Sequence, residues 1–105
     1  MENTKITEEA NLYLVAIEEC SEVQKELSKL LRFGRNDYCP EIGKNMTNDV
    51  NAVTEFYELC AMIEHLQNND LLPKFSDAEI AKIKDKKIKK VLHYAEYSKQ
   101  KGTIL

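Results

Sequence analysis

Glycine and proline are scarce, three and two in 105 residues. With so few breakers, and with Glu, Lys, Leu and Ile abundant, the composition favours helix. No apolar run approaches the roughly 20 residues that span a bilayer, so no membrane partner is expected. The opening MENTKITEEANL lacks the basic and apolar blocks of a signal peptide. The cysteines Cys20, Cys39 and Cys60 are odd in number and lie in ordinary segments, which points to a reduced, cytoplasmic setting. Internal repeats, strand-like alternation and low-complexity tracts are missing as well. With 43% hydrophobic and 31% charged residues, the chain fits one soluble domain over residues 1–105.

The net charge of −3 hides an asymmetry. Residues 1–73 carry six Lys/Arg against 14 Asp/Glu, and residues 74–105 carry nine Lys against four Asp/Glu. The basic tail suits nucleic acid, a polyanionic ligand or a solvated helix face.

Three helical segments are legible, giving an all-α helical bundle of three main helices with room for a short fourth. The first runs from about Glu8 to Phe33, with Thr7 as N-cap and Gly34 as its stop. The loop GRNDYCPEIGKNM follows. The second starts near Thr47 or Asn48 and runs to about Gln67. Ser76-Asp77-Ala78-Glu79 has the form of a capping box and starts the third, which continues to about Lys99. Ile80, Ile83, Ile88, Val91, Leu92 and Ala95 form its apolar stripe.

Successive helical residues turn by about 100°. On the first helix Leu12, Ala16, Cys20, Val23, Leu27 and Leu30 form one apolar arc, flanked by Val15 and Phe33. Glu19 falls inside that arc, Glu22 at its edge and Glu18 one step beyond. Lys25, Lys29 and Arg32 follow on the outer side. The second helix has an arc of Ala52, Val53, Phe56, Leu59, Cys60, Met62, Ile63 and Leu66. Glu55 falls inside it and Glu58 at its edge. Each helix thus has one acid within its core face and another three residues later. Facing carboxylates repel, and burying them unpaired costs several kcal/mol. A hard divalent cation such as Mg²⁺ answers both problems, with Glu19, Glu22, Glu55 and Glu58 as ligands and Mn²⁺ as a substitute. The cysteines with His65 and His93 show no zinc spacing, and Cys20 and Cys60 read as small core residues. No Gly-rich phosphate loop, nucleophile elbow or Cys–His pair is present.

EECSE at 18–22, K-x-x-R-F-G at 29–34 and E-x-x-E at 55–58 resemble the all-α nucleotide pyrophosphohydrolases of the MazG-like type, in particular the small single-domain members of phages and bacteria. Thr47-Asn48 and the closing KKIKKVLHYAEYSKQKG fit the same resemblance. Two features depart from it. Glu58 stands where that family has Asp, and 32 residues separate Glu22 from Glu55, more than is usual. The resemblance implies hydrolysis of a nucleoside triphosphate to a monophosphate and pyrophosphate. Glu18 would ligate the metal, or orient or deprotonate the attacking water. Lys29, Arg32, Asn48, Lys87, Lys90 and Tyr94 would hold substrate. A homodimer or homotetramer would complete a four-helix-type core. The competing expectation is a non-catalytic nucleotide- or protein-binding module on the same scaffold. A nucleic-acid partner is not expected, because the body is acidic and no binding motif for it is present.

Overall fold

The computed structural model describes residues 5–38 and 46–105. The fold is all-α, with helices α1 (Glu8–Phe33), α2 (Asn48–Asn68) and α3 (Asp77–Lys101). Among the described residues there is neither a strand nor a fourth helix. The chain divides into two compact units, residues 1–73 and 74–105. The first holds α1 and α2, the second α3, and the division falls where the charge changes sign.

Each end of α1 follows from a few residues. The Thr7 hydroxyl accepts from the Ala10 amide at 3.0 Å, and Glu8 and Glu9 face the positive end of the helix dipole. At the other end the Gly34 amide donates to the Leu30 carbonyl at 2.9 Å. Gly34 has φ +93°, a conformation that residues with a Cβ rarely adopt.

The reversal into α2 is clamped by hydrogen bonds. The Asn48 amide donates to the Asp37 carbonyl at 2.9 Å and the Asp49 amide to the Arg35 carbonyl at 3.0 Å. Asn48 Nδ2 donates to the Gly34 carbonyl at 2.8 Å. Thr47 is the N-cap residue of α2, but its hydroxyl makes no capping bond; it donates instead to Asp49 Oδ1 at 2.5 Å. That bond, with the Val50 amide, holds the Asp49 carboxyl below its ordinary range. At the far end Tyr13 Oη donates to the Leu71 carbonyl at 2.6 Å. Tied at both ends, α1 and α2 form an antiparallel hairpin.

Among the described residues, the hairpin's buried apolar side chains are Ala16, Ala52 and Leu66. Leu12, Val15, Val23, Leu30 and Phe33 are half-buried around them. The packed face of α1 is turned from the expected arc toward the acids, by about half of the 100° residue step. Cys20 and Leu27 are exposed, whereas Glu26 and Lys29 are buried. The apolar arc of α1 is wider than the strip one neighbouring helix covers, and α2 covers the flank with the acids. Cys20 is therefore no core residue, Cys60 is half-buried, and both thiols are free. Cys39 lies outside the described residues.

In the second unit, α3 starts with the expected capping box. The Glu79 amide donates to Ser76 Oγ, and the Ser76 amide donates back to Glu79 Oε1, each at 3.2 Å. Gly102, at φ +79°, ends it. None of its residues is buried. Ile83, Ile88, Val91 and Leu92 are exposed along its apolar stripe.

Candidate metal centre

The regular turn of each helix places Glu19 and Glu55 on the side facing the other helix. The antiparallel crossing brings them together. Glu19, Glu55 and Glu58 each offer a carboxylate oxygen, and the three oxygens lie within 4.8 Å of one another. Glu19 and Glu55 are half-buried and Glu58 is exposed, so the cluster opens to solvent on the Glu58 side.

Electrostatics reports the crowding. The Glu55 carboxyl is raised from 4.5 to about 7. Partial desolvation is the main cause. A hydrogen bond with Glu58 and the negative charges of Glu58, Glu19 and Glu22 add to it. Glu22, half-buried one turn from Glu19, thus belongs to the same field. Glu19 Oε2 is buried without a hydrogen-bond partner among the described residues. An orphaned buried acceptor beside like charges is what hard-cation coordination satisfies, and the donor set is all carboxylate oxygen. The residues present fit a divalent cation.

The other expected residues are placed differently. Glu18 is exposed beside the cluster, and its backbone carbonyl accepts from Ser21 Oγ at 2.7 Å. Lys29 is not on the outer side of α1. It is 9% exposed, and its Nζ lies 3.3 Å from Glu26 Oε1. Asn48 is fully buried, one side-chain atom holding Gly34 and the other, Oδ1, without a partner among the described residues. Arg32 is exposed, its guanidinium 5.0 Å from the Phe33 ring centre. Lys87, Lys90 and Tyr94 are exposed on α3, in the second unit. His65 and His93 are exposed.

A cavity of about 670 Å³ where α1 starts and α2 finishes is lined by Thr7, Asn11, His65 and Asn69 among others, and by none of the clustered acids. The chain matches no protein-family model, no curated protein and no solved structure.

Three residues escaped the sequence reading: Tyr13, Glu26 and Asn51. Glu26 is 1% exposed and Asn51 5% exposed. A signal for both was present. Glu26 lies seven residues from Glu19, and Asn51 four from Glu55, spacings that keep a residue on one helix face. Tyr13 gave no such signal, because its partner is a backbone carbonyl remote in sequence.

Proposed function

We propose that this chain is a divalent-cation-dependent nucleoside triphosphate pyrophosphohydrolase, similar to the MazG-like enzymes, that converts an NTP or dNTP to its monophosphate and pyrophosphate. One observation carries the reading: Glu19, Glu55 and Glu58, from two helices, present oxygens within 4.8 Å, with a buried orphan acceptor among them. Such a cluster is costly for a fold to keep without a cation. Glu19, Glu22, Glu55 and Glu58 would hold Mg²⁺ or Mn²⁺. When bound, the cation supplies positive charge against the triphosphate oxygens and acidifies a water.

The chain's own residues supply the rest. Glu18, exposed on the same turn, orients the attacking water or takes its proton. Arg32, exposed one face round, offers a planar fork for phosphate oxygens. Lys29 is left out of the phosphate grip, because its ammonium is paired within the fold. A second copy of the chain, as dimer or tetramer, covers apolar surface that the single chain leaves open.

The test is pyrophosphate release from a panel of NTPs and dNTPs with Mg²⁺ or Mn²⁺. Glu19→Gln and Glu55→Gln should each lower turnover by at least a hundredfold with the helical circular dichroism retained. No release from any nucleotide by folded wild-type protein sinks the reading. Glu58, one methylene longer than the family's Asp, favours a second one: a module that binds nucleotide without turnover. Its signature is thermal stabilisation by nucleotide and Mg²⁺ together, with no pyrophosphate formed.

A further inference from the structure

The hairpin contains two matched polar ridges, and the clustered acids are only one half of each. On α1 the ridge is Glu19, Glu22, Glu26 and Lys29. On α2 it is Asn48, Asn51, Glu55 and Glu58. Both follow the same spacing of three, four and three residues, which keeps a ridge on one helix face. Because the helices run antiparallel, Glu19 and Glu22 meet Glu55 and Glu58. The Glu26–Lys29 half of one ridge then runs alongside the Asn48–Asn51 half of the other. That second half is the more deeply buried. Glu26, Lys29, Asn48 and Asn51 are 1%, 9%, 0% and 5% exposed.

The two halves face the same physical problem. Each carries carboxylate away from bulk water, and each needs positive charge. The Glu26 half has it built in: Lys29 Nζ lies 3.3 Å from Glu26 Oε1. The Glu19 half has no built-in cation of this kind on either ridge. Both partners are on α1, and their pairing lets that face stay buried in the hairpin, because removing one leaves an uncompensated buried charge that drives the face toward water. Glu26 is one helical turn from Glu22 and two from Glu19, on the same face. Whatever fixes Glu26 therefore fixes the rotation of α1 and the direction in which Glu19 and Glu22 point.

We propose that the buried Glu26–Lys29 pair positions the cation site, with Lys29 acting as the permanent internal cation of a seam whose other half takes an exchangeable one. Glu26 and Lys29 are positioning residues: they act through Glu19 and Glu22 and touch no substrate. The proposal rests on the cation reading of the acidic cluster.

The probe is Mn²⁺ alone, titrated into the full chain and followed by electron paramagnetic resonance of the free ion. The variants are Glu26→Gln, Lys29→Met and the double Glu26→Gln/Lys29→Gln, each first checked for helicity. Both single variants should bind Mn²⁺ about tenfold more weakly, the usual effect of removing a residue that orients metal ligands, and the double no more weakly than either. Opposite signs overturn the proposal: a purely long-range charge effect weakens binding in Glu26→Gln and tightens it in Lys29→Met. Unchanged affinity with a lowered melting temperature also overturns it, leaving a pair that serves stability alone. Should the singles fail to fold, the double decides, because a neutral pair leaves no buried charge; wild-type affinity in it is the contrary result. Wild-type protein that binds no Mn²⁺ sinks the cation reading itself, an outcome distinct from the others.

Discussion

Glu55 shows how much one residue can report. Its carboxyl is raised to about 7, first by partial desolvation and then by Glu58, Glu19 and Glu22. The sign of the consequence is fixed. A carboxyl with a raised folded-state value binds its proton more tightly when folded. Its contribution to stability is complete below the unfolded value of 4.5 and is lost as pH rises through about 7. Metal-free protein should therefore lose thermal stability between about pH 5 and pH 8, as this carboxyl ionises. A divalent cation competes with that proton. Mg²⁺ or Mn²⁺ should raise the melting temperature more at about pH 8 than at about pH 5. Differential scanning calorimetry with and without metal at both values checks this. A cation effect that is flat with pH would remove the acids from the binding site.

The hairpin is the element that turns a pattern into a site. Its two ends are closed by different means, backbone bonds and Asn48 at the Gly34 end, Tyr13 Oη at the other. The Tyr13 bond spans 58 residues of chain and fixes α1 against the turn after α2. Tyr13→Phe should cost about 1 kcal/mol in urea unfolding, the usual net value of one hydrogen bond, with an unmade bond at the Leu71 carbonyl. Equal stability of the two proteins would show that water replaces the phenol without loss. The third helix is set by local rules: a capping box begins it and a left-handed glycine ends it. The capping box was legible because it needs only residues close in sequence. The end of α1 was legible for the same reason.

For the whole molecule the notable quantity is uncovered apolar surface. Val53, Phe56, Ile83, Ile88 and Leu92 are all exposed in the single chain. Exposed apolar side chains in such number invite cover by another surface. Sedimentation at micromolar concentration should give a mass of two or four chains. Leu92, 63% exposed, tests it further. In a purely solvated position Leu92→Glu changes neither mass nor melting temperature, whereas in an interface it shifts the protein toward monomer. Charge is divided along the same line as the fold. The acidic stretch and the basic stretch are separate compact units, meeting after Pro73.

By itself the sequence determined the three helices, both ends of the first, the start of the third, and the matched acids of the first two. Those follow from periodicity, capping chemistry and breaker residues, all local. Only the tertiary structure decided which strip of α1 faces α2. An apolar arc as wide as that of α1 allows several rotations, and one partner helix covers only a narrow part. The rotation found buries Glu26 and Lys29 and exposes Cys20 and Leu27. It moved Lys29 from an expected phosphate grip to an internal counter-ion. The periodicity of α1 placed Glu19 inside a packed face; the crossing with α2 placed it among Glu55 and Glu58. That juxtaposition joins residues more than thirty positions apart, and no local pattern encodes the angle at which two helices meet.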